Sequence, residues 1–138
     1  MQWSKERNAG FSTAAAENLY LPIDPSESRP DVASEEKDPA SFLNFTRALL
    51  KLRREHPALA NAADFEPLYA EKNGYPFVYL RIAGSERIVI SINPAERPSV
   101  VALKEVIKAK PLPVQDAAFL EGRFEMGPIS LCIFEIEN

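Results

Sequence analysis

From residue 65 to the end, the apolar residues of this chain recur every second position, and that period leaves little choice of fold. FEPLYA, PFVYLRIA and ERIVISINP alternate side chains between two faces, as half-buried strands do. Asn73-Gly74, within EKNGYP, separates the first two, and both residues tolerate the positive φ that a tight hairpin requires. Ala83-Gly84-Ser85 makes a second tight connection. In RIVISINP, Ile88, Ile90 and Ile92 alternate with Arg87, Val89 and Ser91, which predicts one buried face. SVVALKEVI reads as a weaker strand and KPLPVQ as an edge strand, because its prolines cannot donate to a ladder on both sides. RFEMGPISLCIFEIE ends the chain and is apolar on both faces over ISLCIF, the mark of a central strand. Six or seven short antiparallel strands joined by tight turns predict a mainly β domain, a sandwich of Greek-key type.

Ahead of the strands the period is that of a helix. Asp38 can cap, Pro39 suits a first helical position, and SFLNFTRALLKLRREH follows up to the stop at Pro57. Phe42, Phe45, Leu49 and Leu52 form one stripe, widened by Leu43 and Leu50. So wide a stripe implies contacts on more than one side, with the β domain or with a second copy of the chain. Lys51, Arg53, Arg54 and His56 lie where cations meet the negative end of the helix dipole, and His56 reads as a cap for that end.

Residues 1 to 37 fit neither period. Pro22, Pro25 and Pro30 recur too often for a helix or a central strand, so this segment reads as an irregular arm. An arm of that length is functional or is held by something larger. Trp3, Phe11 and Tyr20 in it could stack on a sugar ring or pack against other protein. Tyr69, Tyr75, Phe77 and Tyr79 around the first hairpin could likewise form a carbohydrate platform or simply favour strand structure.

Composition excludes several classes of function. The net charge of −4 offers no basic stripe for nucleic acid, and no apolar run approaches the length of a membrane span. One cysteine and one histidine do not make a zinc site of the usual kind, and no glycine-rich phosphate loop is present. Neither a metal nor a cofactor is expected. Cys132, within ISLCIF, reads as a buried thiol; the absence of any possible intrachain disulfide suits a cytoplasmic address. Glu35, Glu36 and Asp38 read as an acidic helix entrance, not as an acid/base pair.

Three stretches carry a family resemblance. Met1-Gln2-Trp3 with Asn8-Ala9-Gly10-Phe11, then LYLPI, then Phe42-Leu43-Asn44-Phe45 and Leu52-Arg53-Arg54-Glu55-His56-Pro57-Ala58-Leu59, resemble the end of the catalytic domain in the α-amylase superfamily, glycoside hydrolase family 13. The branch they resemble contains the α-glucosidases, oligo-1,6-glucosidases and trehalose synthases. MQWS, RNAGFS and LYLP tilt towards trehalose synthases, and the short acidic arm tilts back towards α-glucosidases.

The resemblance implies that residues 1–59 end a (β/α)8 catalytic barrel, as the loop after its last strand plus the final helix. It implies that residues 60–138 form the C-terminal antiparallel β domain. Gln2, Trp3, Asn8 and Phe11 would then lie on the substrate rim. The family's aspartate nucleophile, glutamate acid/base and second aspartate sit in motifs upstream of anything in this sequence, so no catalytic residue is expected here. On this reading the chain is a fragment of a bacterial enzyme acting on α-linked oligosaccharides, partnered by the missing barrel, with the helix or arm open to self-association. The rival reading is a stand-alone carbohydrate-binding or protein-interaction β module.

Overall fold

The computed structural model describes residues 2–103, 108–120 and 122–137, with the backbone alone at 113–116. Met1 and residues 104–107 of the fourth expected strand therefore lie outside the described residues. The chain divides into two compact units, residues 1–50 and 51–138.

In the first unit, the irregular arm holds one short helix, α1 (Val32–Glu35), before the long helix α2 (Phe42–Glu55) begins. The long helix starts three residues later than the Asp38-Pro39 signal suggested. Asp38 accepts from Ala40 N at 2.9 Å and closes a local turn around the proline instead. The capping falls to Ser41, whose Oγ accepts from Asn44 N at 3.2 Å. Glu35 assists by accepting from Leu43 N at 2.9 Å, so a carboxylate sits at the positive end of the helix. Along the stripe, Phe42 is exposed, Phe45 and Leu49 are half-buried, and Leu52 is buried.

The second unit is a curled six-stranded antiparallel sheet: β1 (Asp64–Tyr69), β2 (Phe77–Ala83), β3 (Glu86–Asn93), β4 (Ser99–Ala102), β5 (Ala109–Leu120) and β6 (Arg123–Ile136). The order is β1-β2-β3-β6-β4, with β5 on the other edge of β6. The prolines are placed as sheet chemistry requires: Pro67 lies on edge strand β1, and Pro111 on edge strand β5. In the first hairpin Asn73 takes the left-handed conformation (φ 60°), while Gly74 N donates to Glu71 O at 3.1 Å. In the second, Gly84 (φ 60°) occupies the first of two loop positions.

The hinge of the whole sheet is β6. Its second half pairs with β3, its first half with β4, and β5 runs beside both. A straight strand would place residues 126 and 132 about 20 Å apart. Instead the sulfurs of Met126 and Cys132 are 3.6 Å apart, so the strand folds back on itself. The corner is Gly127-Pro128-Ile129, with Ile129 at φ 46°. Asn93 holds it: fully buried, its Nδ2 donates to Gly127 O at 2.6 Å and to Arg97 O at 2.9 Å. Ser130 Oγ donates to the same Gly127 oxygen at 2.7 Å.

The fold-back creates the core. Val78, Leu80, Val89, Val101, Phe124, Met126, Cys132 and Phe134 pack inside the curl. Phe119 joins Phe124 and Phe134, with ring centroids 4.5 and 5.0 Å away. Each such side chain buried contributes roughly 1.5–3 kcal/mol.

The expectation of a single buried face on β3 does not survive. Val89 and Ser91 face the core, yet Ile88 and Ile90, on the opposite face, are buried too. That second face is covered by the 3₁₀ turn Pro57–Leu59 that follows α2. The turn is tied down by one carboxylate: Glu86 accepts from His56 Nδ1 at 2.7 Å and from Ala58 N at 2.6 Å. Arg81 donates to the carbonyls of Ala58 and Ala60 at 3.2 and 2.5 Å. The imidazole of His56 therefore serves β3, not the helix carbonyls, which corrects the capping role expected for it.

Cys132 is buried as expected, and desolvation pushes its thiol up to about 12. At pH 8 the native chain should react with a disulfide reagent only as fast as it opens. Asn93→Ala leaves the Gly127 and Arg97 carbonyls short of a donor, which should cost about 1–3 kcal/mol. A melting point lowered by several degrees, with faster Cys132 labelling, is the expected result; an unchanged melting curve would mean the corner holds without Asn93.

Candidate functional site

The candidate rim residues lie on a loop whose shape is set by three consecutive left-handed residues: Asn8 (φ 55°), Ala9 (φ 55°) and Gly10 (φ 76°). L-residues rarely adopt this conformation, and a run of three requires particular side chains. Asn tolerates it best among non-glycine residues, and here it also secures the loop. Its Nδ2 donates to Ser12 O at 2.9 Å and to Ala14 O at 2.8 Å. Ala9 is buried, and its carbonyl accepts from both Trp3 N (3.0 Å) and Ser4 N (3.2 Å). A Cβ on Gly10 would meet Ser4 Oγ at 2.9 Å and Trp3 Cβ at 3.0 Å, so this position needs glycine on two counts. The NAG sequence is thus a folding instruction: it reverses the chain tightly against residues 3 and 4.

The reversal leaves two aromatic side chains in solvent, Trp3 at 57% exposure and Phe11 at 55%. Gln2 is half-buried, and its Oε1 is buried without a partner among the described residues. Asn8 is buried, with both amide hydrogens used inside the loop. Of the four rim candidates, then, the structure presents Trp3 and Phe11 outward, and turns Asn8 inward to shape the loop. Tyr20, further along the arm, is almost fully exposed.

The loop is seated on α1. Gln2 bridges Asp31 in parallel fashion, Val32 N donates to Gln2 O at 2.9 Å, and Ala33 N donates to Trp3 O at 3.0 Å. Asp31 caps α1, accepting from Ser34 N (2.9 Å) and Ser34 Oγ (2.8 Å). Those bonds, the Ser34 hydroxyl foremost, hold its carboxyl below the ordinary aspartate value. The sequence carried a signal for this cap, Asp31 three residues before Ser34, but the prolines around it concealed the turn. Beside it lies a polar cleft of about 260 Å³, lined by Lys5, Glu27, Arg29, Asp31, Glu35 and Asp38 among others. Its carboxylates at Asp31, Glu35 and Asp38 are spent on backbone amides. Among the described residues no group of His, Cys, Asp or Glu could hold a metal, and no helix is long and apolar enough to cross a membrane.

The four aromatics expected around the first hairpin do not form one surface. Tyr69 packs against the core, whereas Phe77 and Tyr79 face the other way and meet Phe65, which sequence reasoning overlooked. Phe65 and Phe77 lie 5.1 and 5.2 Å from Tyr79, ring centroid to centroid. Burial raises the Tyr79 phenol above its ordinary value.

An aromatic loop locked by left-handed residues, a long helix and a curled antiparallel sheet define the class: a mainly antiparallel β protein with one long helix. Residues 1–62 match the family described as alpha amylase, catalytic domain. A trehalose synthase/amylase of Mycobacterium tuberculosis is 42% identical over 93 residues, 62% of this chain and 15% of that protein. The oligo-1,6-glucosidase of Parageobacillus thermoglucosidasius is 27% identical over 107 residues, 78% of this chain and 18% of that protein. Among solved structures, isomaltulose synthase from Erwinia rhapontici NX5 shares the fold, with a TM-score of 0.84 over 99% of this chain and 24% of that one, at 22% identity. Trehalulose synthase MutB superposes with a TM-score of 0.82 over 97% of this chain and 24% of that one, at 26% identity. The chain thus spans less than a fifth of the length of these curated relatives. Residues 1–62 thus match the α-amylase family, glycoside hydrolase family 13, and the chain is similar to proteins named trehalose synthase, oligo-1,6-glucosidase and α-glucosidase.

Gly10→Ala should disorder the rim loop, because it combines a Cβ clash with φ 76°. Strain of this kind costs on the order of 1–3 kcal/mol. Faster proteolysis within residues 2–14 and a lower anisotropy of Trp3, the only tryptophan, are the expected readings. Gly84→Ala meets open space and serves as the control for positive φ alone; a Gly10 variant no worse than it would refute the packing argument.

Proposed function

We propose that this chain serves an enzyme that cleaves or transfers α-glucosidic bonds, supplying part of its active-site rim and a stabilising β domain. The observation that carries the proposal is the display of Trp3 and Phe11. A loop matching a glycosidase family spends three left-handed residues to hold two large aromatics in solvent. Aromatic faces of this kind suit the apolar faces of sugar rings. In this reading Trp3 and Phe11 touch the oligosaccharide and Gln2 offers a buried acceptor beside them. Asn8 acts through the loop it holds. The partner of the rim is the catalytic barrel.

Retaining cleavage needs an acid to protonate the leaving oxygen and a carboxylate nucleophile across the anomeric carbon, forming a glycosyl-enzyme intermediate. The family's motifs for those carboxylates are not in this sequence, and Asp31, Glu35 and Asp38 of its cleft are engaged by backbone amides. The chain's contribution is therefore to orient substrate and exclude water at the rim. The rival, a stand-alone sugar-binding module, draws on the Phe65–Phe77–Tyr79 cluster, where Phe65 is half-exposed. Two of its three rings are half-buried, which leaves little face for a sugar.

Incubated with maltose, isomaltose, trehalose, sucrose and an aryl α-glucoside, the purified chain should release neither glucose nor aglycone. Turnover that disappears when one of its own carboxylates is substituted would overturn the proposal. Saturable oligosaccharide binding lost in Phe65→Ala, but not in Trp3→Ala, would put the binding-module reading ahead.

A further inference from the structure

We infer that Asp31 is a positioning residue for Trp3, and through it for the aromatic rim. Resting on the rim reading above, this extends it to a residue that does not itself face the substrate side of the loop. Trp3 is gripped on both sides of its backbone. Its N–H donates to Ala9 O, and its carbonyl accepts from Ala33 N. The first bond depends on the left-handed turn. The second depends on α1, whose Val32 and Ala33 amides point at Gln2 and Trp3.

Those two amides are among the N–H groups that the first turn of a helix leaves without an internal acceptor. Their direction is set by the turn that Asp31 closes. A four-residue helix has no intrinsic stability, so the cap decides whether it persists. Asp31 is 1% exposed, and both its oxygens are engaged by Ser34. Remove that acceptor and Ser34 loses its partner, the turn opens, and the seat of residues 2–3 goes with it.

The same linkage makes the seat sensitive to acid. The carboxylate form holds the turn at all pH values above the ordinary aspartate value of 3.8, and the hold is lost as pH falls through the lower folded value. The charged groups lining the same cleft are Lys5, Glu27, Arg29, Glu35 and Asp38. Lys5 favours the charged form of Asp31, a smaller effect than the Ser34 hydrogen bond.

The test uses the full chain and reads Trp3 anisotropy together with amide exchange at Val32 and Ala33. In Asp31→Ala at pH 7, exchange at the two amides should rise about 2- to 30-fold, the population change that loss of an N-cap carries. Trp3 anisotropy should fall and quenching by acrylamide should increase. Asp31→Asn, which keeps an acceptor for Ser34 N, should restore the wild-type signals at pH 7. Ser34→Ala should move the acid transition of the Trp3 signal upward, towards pH 3.8. Faster exchange in Asp31→Ala with unchanged Trp3 anisotropy and quenching would overturn the inference, since the cap would then act only locally. Should Asp31→Ala fail to fold, seen as loss of helical circular dichroism, an acid midpoint of Trp3 unmoved by Ser34→Ala would overturn it equally. None of these readings involves a sugar, so they stand or fall apart from the rim's proposed role.

Discussion

The β domain depends on one fold in one strand. β6 is the only strand that pairs with three others among the described residues, and it can do so because it bends at Gly127-Pro128-Ile129. The bend brings Phe124 and Met126 from one half against Phe134 and Cys132 from the other, and these residues form the centre of the core. Without the bend, β4 and β3 would lie along one extended edge and the apolar side chains between them would face water. The polar cost of the corner is met locally. Three buried or nearly buried groups, Asn93, Ser130 and the Gly127 carbonyl, satisfy one another.

A second constraint of the same kind governs the loop at residues 2–14. There too, a reversal is built from left-handed residues and secured by an asparagine amide that donates to two carbonyls. Asn8 and Asn93 do equivalent work in different units. Each spends both amide hydrogens on backbone oxygens that a sharp turn would otherwise leave without donors. In the loop, the result is the solvent-facing placement of Trp3 and Phe11, on which the proposed function rests.

Much of this architecture was legible. The period-two runs marked all six strands, the prolines marked β5 as an edge, and ISLCIF marked the centre of the sheet. MQW and NAGF point to the family, and the match over residues 1–62 agrees. Other features were not legible, for reasons that can be named. Ile88 and Ile90 alternated with Val89 and Ser91 as if only one face were buried, because residues 57–59 give no sign of covering the other. Ser41 displaced Asp38 as the cap because Glu35, six residues earlier, supplied both a carbonyl for its hydroxyl and a carboxylate for Leu43 N. The pairing of His56 with Glu86 joins residues 30 apart, beyond the reach of any local pattern.

By itself the sequence determined the period of each segment, the places where the chain must turn, and the family resemblance of its first 59 residues. These are properties of near neighbours, and short-range sterics and hydrophobic alternation are enough to decide them. Only the tertiary structure decided that β6 folds back, that Glu86 fastens the turn after α2, and that Asn8 faces inward while Trp3 and Phe11 face out. Each of these matches a polar group or an apolar face with a partner distant in sequence or hidden by irregular backbone. Buried donors and acceptors must be paired, but which partner each one finds is a property of the folded chain.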